Sequence, residues 1–191
     1  IFAAAFLSLA SFAQEPNLAW DFDSLARVPI QNGGRLKPLD TFSREAVLTL
    51  TGRRSWKNWK PLDFLLSLIA FPEEWKEQSF IRLGNPDVRK QLLLPLDRKY
   101  FSLKELYSSP VVRQYYQEYA SRAYQQKAET VTEPGAKPDP REKDLKDFLH
   151  RIAYFENITS GRVLTLIPGG KESSWKTLID ANLQPLSLIH I

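Results

Sequence analysis

The stretch Val28 to Glu45, VPIQNGGRLKPLDTFSRE, constrains this chain more than any other, because turn residues, fixed charges and a helix start follow one another without a gap. Asn32-Gly33 is a strong two-residue hairpin signal: a type I′ turn needs positive φ at both positions, and these residues reach it cheaply, leaving Gly34 for a bulge. Val28 to Gln31 and Arg35 to Lys37 are then the arms. Pro29 donates no ladder bond and belongs at an edge or strand start, and Pro38 ends the second arm. Asp40 or Thr41 is expected to cap a helix that buries Phe42, Ala46, Val47 and Leu50 and stops at Gly52. Arg35 and Lys37 are left at the rim.

The rest of the chain reads as helix, with a few short strands. Pro61 to Phe71 is apolar on most sides and predicts a buried helix stopped by Pro72; Glu73 to Gln78 adds a turn, and Phe80 to Leu83 a short strand. Asn85-Pro86-Asp87 supplies a cap, a first-turn proline and an acid at a helix start, and Ser102 with Glu105 has capping-box spacing. Two long helices follow. Val112, Tyr116, Tyr119 and Ala123 mark one over Pro110 to Glu129, and Leu145, Phe148, Leu149, Ile152 and Phe155 mark the other over Arg141 to Ser160. They are expected to pair as a hairpin around a mobile, exposed connector, Thr130 to Pro140. Tyr115, Tyr116, Tyr119 and Tyr124 read as core rings with hydroxyls at the edge rather than as a cofactor-facing stripe. Gly161 ends the second long helix, Val163 to Ile167 is a strand, and Ser173 or Ser174 is expected to cap a last helix through Trp175. The fold class is α+β, mainly helical, with a long helical hairpin and one small sheet formed by Val28 to Lys37, Phe80 to Leu83 and Val163 to Ile167.

Ile1 to Ala13 is apolar, uncharged and followed by a small-residue cleavage pattern, which reads as a signal-peptide core; the other reading is a remnant of a membrane anchor, shorter than the ~20 residues a span needs. Either sends the chain to the extracytoplasmic, periplasmic side. Residues 14–185 are then a single domain, and Leu186 to Ile191 (LSLIHI) a non-native tail or, alternatively, a terminal strand. The absence of cysteine removes CxxC, CxxCH and any thiol chemistry from this piece. No Walker loop, Rossmann glycine pattern, HExxH helix or nucleophile elbow is present, so no catalytic residue and no metal ligand is assigned. His150, one step off the apolar stripe of its helix, reads as a solvated or packing residue rather than a haem ligand.

A charge balance of 26 basic to 22 acidic residues does not call for a polyanion, but its distribution is uneven. Arg35, Lys37, Arg44, Arg53, Arg54, Lys57 and Lys60 stand against only Asp40 and Glu45 between residues 35 and 60. Arg53, Arg54, Trp56, Lys57 and Trp59 form a candidate interface, since indoles interleaved with cations suit a membrane surface; a solvated rim is the plain alternative, and nucleic acid the weakest use.

The order Pro29, Ile30, Gln31, Gly34, Arg35, Lys37, Pro38, Leu39, Asp40 and Thr41 resembles the segment that follows the signal region in CcsA/ResC-type proteins of system II cytochrome c biogenesis. The turn Leu83 to Pro86, a Pro-Gly-Gly segment and Trp175 extend the likeness less specifically over residues 25 to 180. The family's tryptophan-rich haem motif and its histidines beside membrane spans are not in this sequence. The resemblance implies an extracytoplasmic region of a haem delivery and attachment protein at the cell membrane, acting in cytochrome complex assembly rather than bond chemistry. It implies haem for the full-length protein and no cofactor in this fragment, with a CcsB/ResB-like subunit or fused region, apocytochrome c and the membrane as partners. Gln31, Gly33, Gly34, Arg35, Lys37, Pro38, Asp40 and Thr41 become the signature residues. Arg35 beside Lys37 suits a carboxylate, whether a haem propionate, a partner's acid or Asp40 as an internal strut. Two other classes stay open: an exported envelope binding or scaffolding domain with no haem role, and an exported enzyme with an unrecognised site.

Overall fold

Among the residues described by this computed structural model, 23–126, 139–168 and 175–177, the chain is α+β and mainly helical. The expected leader at residues 1–13, most of the connector at 130–140, the side chain of Tyr124, the cap at Ser173 or Ser174 and the tail at 186–191 lie outside those residues.

A short 3-10 turn, Leu25–Arg27, leads into strands β1 (Pro29–Asn32) and β2 (Arg35–Pro38) and helix α1 (Leu39–Thr51). Next come α2 (Pro61–Ala70), α3 (Pro72–Glu77), β3 (Ile81–Arg82), α4 (Pro86–Gln91), β4 (Tyr100–Phe101) and α5 (Leu103–Ser108). The two long helices are α6 (Pro110–Gln126) and α7 (Pro140–Thr159), followed by β5 (Thr165–Ile167) and β6 (Lys176–Thr177).

The expected hairpin forms with its turn moved by one residue. Asn32 pairs with Arg35, so the two-residue turn is Gly33-Gly34, at φ +59° and +74°. Two glycines enter the left-handed region more cheaply than Asn and Gly, which frees Asn32 to join the ladder. The cap of α1 also differs from the expectation of Asp40 or Thr41. The helix starts at Leu39 behind Pro38, and the Leu39 amide donates to the Val28 carbonyl at 2.9 Å. The hairpin backbone thus satisfies a helix donor without a capping side chain. Gly52 ends α1 at φ +67°, and Phe42, Ala46, Val47 and Leu50 are fully buried, as their spacing predicts.

Proline placement and caps define the middle of the chain as expected. Pro61, Pro72 and Pro86 each stand in the first turn of a helix, where a missing amide costs nothing. The Asn85 side-chain oxygen accepts from the Asp87 amide at 2.9 Å, and Ser102 Oγ from the Glu105 amide at 3.2 Å. The expected single sheet is instead two. β2-β1-β5-β6 is one antiparallel sheet, whereas β3 pairs with β4, a strand the sequence did not announce. The last segment corrects another expectation: Lys176–Thr177 is a strand on the open edge of β5, not part of a helix.

At the centre lies α7, which packs on α1, α2, α4, α6 and β3 and buries Phe148, Leu149, Ile152, Phe155 and Ile158. Asp139 caps it through the Arg141 amide at 2.9 Å. An aromatic cluster joins its inner face to α2 and α3. Trp75 meets Phe64 and Phe80 edge-on at 4.9 and 5.3 Å, Phe80 meets Phe155 at 5.5 Å, and Trp75 Nε1 donates to Ser67 Oγ at 3.0 Å. A buried indole N–H is thereby satisfied inside an apolar layer. No helix among the described residues is long and apolar enough to cross a membrane.

Candidate functional site

The signature stretch folds as one unit, β1-turn-β2-α1, and its charges sort themselves by depth. Directly opposed residues share a face of an antiparallel ladder, so Ile30, Asn32, Arg35 and Lys37 lie on one side and Gln31 and Leu36 on the other. Ile30 is buried. Lys37, half-buried beside it, donates to Glu45 at 2.6 Å and to Asn32 Oδ1 at 3.3 Å. Asp40 accepts from Arg44 at 2.8 Å, one helical turn on, and this bond raises the pKa of the exposed guanidinium. The strut between Arg35 or Lys37 and Asp40 is therefore not made: Lys37 is tied to Glu45 and Asp40 to Arg44. Arg35 is exposed and has no hydrogen-bond or ion-pair partner among the described residues. Gln31 pairs with Leu36 on one side and with Thr165 on the other, while Thr41 is exposed and Pro38 introduces α1.

The tryptophans of the expected interface face inward. Lys57, at φ +49°, turns the chain so that Trp56 and Trp59 form a bridge, with the Trp59 amide donating to the Trp56 carbonyl at 3.0 Å. Trp56, only 7% exposed, packs its ring on Tyr100 at 5.0 Å, and Trp59 meets Trp75 at 5.8 Å. The alternation of lysine and tryptophan that suggested a membrane belt reflects a tight turn with rings in and ammoniums out. Arg53 lies over the Tyr100 ring at 5.7 Å while remaining exposed, as are Arg54 and Lys57.

The tyrosine stripe of α6 meets α7 through polar tips. Tyr107 of α5 and Tyr116 of α6 both donate to the Glu156 carboxylate. Burial raises both phenol pKa values, and the adjacent Glu156 carboxylate raises them further. Tyr119 OH lies 3.3 Å from His150 Nδ1, and the His150 ring stacks on Tyr154 at 5.8 Å. Burial lowers the His150 pKa; Asp147 opposes that shift and Arg151 adds to it. The contacts of Tyr107, Tyr116 and Tyr119 are helix-to-helix joints, as the core reading of the tyrosines expects, and the His150–Tyr154 stack lies within α7. Among the described residues no group of three or more histidine, aspartate or glutamate side chains is placed to hold a metal ion.

One polar cleft escaped the sequence reading. Arg82, Leu83, Gly84, Asn85, Pro86, Asp144 and Arg151 line a space of about 410 Å³. Arg151 donates through Nε to the Thr49 carbonyl at 2.8 Å and through Nη1 to the Arg82 carbonyl at 3.1 Å. Burial lowers its pKa and the Arg82 charge lowers it further, against Asp147 and Asp144. The Arg82 side chain lies along Gly52 and Gly84: a Cβ at Gly52 would fall 2.4 Å from Arg82 Cδ, and one at Gly84 would fall 3.3 Å from Nη2. Asp144 is occupied in accepting from Asn85 Nδ2 at 2.7 Å. One signal for this site was legible: Arg151 stands three residues after Phe148 and four before Phe155, on the covered side of α7.

No family model matches the chain, and no curated protein matches it.

Proposed function

We propose that this chain is the extracytoplasmic region of a membrane cytochrome c biogenesis protein of the CcsA/ResC type, which orients partners during haem delivery and leaves bond chemistry to other parts of the assembly. The resemblance of residues 29–41 motivates the reading, and one observation supports it: within the signature unit, Lys37 and Asp40 are committed to internal partners whereas the Arg35 side chain is exposed and makes no hydrogen bond or ion pair among the described residues. An exposed charge adds little to folding, with surface ion pairs worth ~0–1 kcal/mol, so fold stability alone accounts poorly for Arg35. A guanidinium fork fits a carboxylate of a partner protein or of a haem propionate.

The test separates the two cations. In the full-length protein, Arg35→Gln is expected to leave abundance normal and reduce covalent cytochrome c, whereas Lys37→Gln is expected to lower abundance by loosening the hairpin from α1. Unchanged cytochrome c in Arg35→Gln at normal abundance refutes the assembly role.

A second reading, an exported scaffolding domain with no haem role, draws on a different surface. Leu93 and Leu96 are 77% and 56% exposed in the loop after α4, with Leu93 at φ +53°. Apolar side chains displayed on a constrained loop suit contact with a partner. Gene sequence beyond Ile191 discriminates: membrane spans with a tryptophan-rich motif support the cytochrome reading, and an early stop supports the scaffold.

A further inference from the structure

We propose that the cleft between β3, the Leu83–Pro86 turn and α7 binds a small oxyanion, a carboxylate or a phosphate, between the guanidinium groups of Arg82 and Arg151. This does not depend on the cytochrome reading. Two arginines of distant sequence position line one space, and their charges are unequally used. Arg151 spends Nε and Nη1 on the Thr49 and Arg82 carbonyls, which fixes its plane and leaves Nη2 without a hydrogen bond among the described residues. The Arg82 guanidinium has neither hydrogen bond nor ion pair among them, yet the side chain is laid down against Gly52, where a Cβ would displace it, and close to Gly84. The one carboxylate in the lining, Asp144, accepts from Asn85, so it does not neutralise the pair by contact. Like charges sharing a partly covered space disfavour each other, and an anion carrying two or more oxygens relieves that repulsion while accepting from both forks.

The plain alternative is that both arginines complement the carbonyl end of α1, where Thr49 and Gly52 lie. That explains Arg151, whose Nε bonds a carbonyl of α1, but not a second guanidinium that bonds none. The space of about 410 Å³ admits a phosphate group or a dicarboxylate of a few carbons.

Thermal melts of the whole chain in sodium chloride, inorganic phosphate and succinate at matched ionic strength test the proposal. Millimolar phosphate or succinate is expected to raise Tm of the wild type. Arg82→Gln is expected to melt no lower than wild type in chloride, because a like charge is gone, and to bind the anion roughly tenfold more weakly, losing the increment. A rise with phosphate alone assigns a phosphate ligand, and a rise with succinate alone assigns a carboxylate. Amide chemical shifts of the wild type under the same titration guard against a misfolded variant, with changes expected at Leu83 to Asn85 and at Arg151. No rise with either anion, an equal rise in Arg82→Gln, or shifts confined to other surfaces overturns the proposal.

Discussion

Glycine and histidine each show how one residue's backbone or proton decides its role. Gly34 stands at φ +74°, and a Cβ there would meet nothing within 4 Å, so any penalty on substitution comes from backbone conformation alone. Gly34→Val is expected to cost ~1–3 kcal/mol and to lower the melting temperature, with Gly34→Asn intermediate; melts indistinguishable from wild type would refute the left-handed requirement. The sequence pointed to the turn because Gly-Gly and Asn-Gly both serve it, but the choice between them rests on a one-residue register that local propensity does not fix. His150 offers a pH test. Its folded pKa lies below the unfolded value of 6.5, because burial against Tyr119 and Tyr154 and the nearby Arg151 charge outweigh Asp147. The unfolded chain then binds more protons, so stability is full above pH 6.5 and falls as pH drops through 6.5 toward the lower folded value. The urea midpoint of wild type should decline across that window, and His150→Gln should flatten the decline. An identical slope in the variant removes His150 as its source.

Elements differ in how much of their environment is written in their own sequence. The stripes of α1 and α7 and the caps of α4 and α5 are local, and Phe42, Phe148, Asn85 and Ser102 stand where spacing puts them. β3 and β4 are two residues each, too short to show a period, and their pairing joins Ile81 to Phe101 and Arg82 to Tyr100 across α4. The Trp56–Trp59 turn was misread for a related reason: a lysine in the left-handed region reverses the chain, and alternation along a reversed chain no longer means opposite faces. Of the Arg82–Arg151 cleft only the place of Arg151 on its helix was legible, because the rest needs β3 and α7 brought together. Where α5, α6 and α7 meet, Glu156 accepts from two half-buried tyrosines. Glu156→Ala removes both bonds and is expected to cost ~1–3 kcal/mol, since charge-assisted bonds are worth more than neutral ones and partial exposure discounts them. A double-mutant cycle of Glu156→Ala with Tyr107→Phe should show coupling of about 0.5 kcal/mol or more in urea denaturation; strict additivity would mean the bond contributes nothing.

On the scale of the molecule, the mainly helical α+β class follows from the sum of local signals, whereas the sheet order β2-β1-β5-β6 does not, because it joins the first strands to the last across all seven described helices. Gln31 pairs with Thr165, and Leu164 next to it is buried. A chain cut after Gly161 should keep much of its helix signal while the Gln31 amide loses hydrogen-exchange protection; retained protection would show the hairpin to be self-sufficient. The same pairing sets a timetable for biosynthesis. A ribosome releases the β1 edge first and its β5 partner last, an interval on the order of ten seconds at ordinary elongation rates. During that wait the β1 edge that Thr165 later covers lies open to a neighbouring nascent chain, because Lys37 and Pro38 stand on β2 and blunt only the opposite edge of the hairpin.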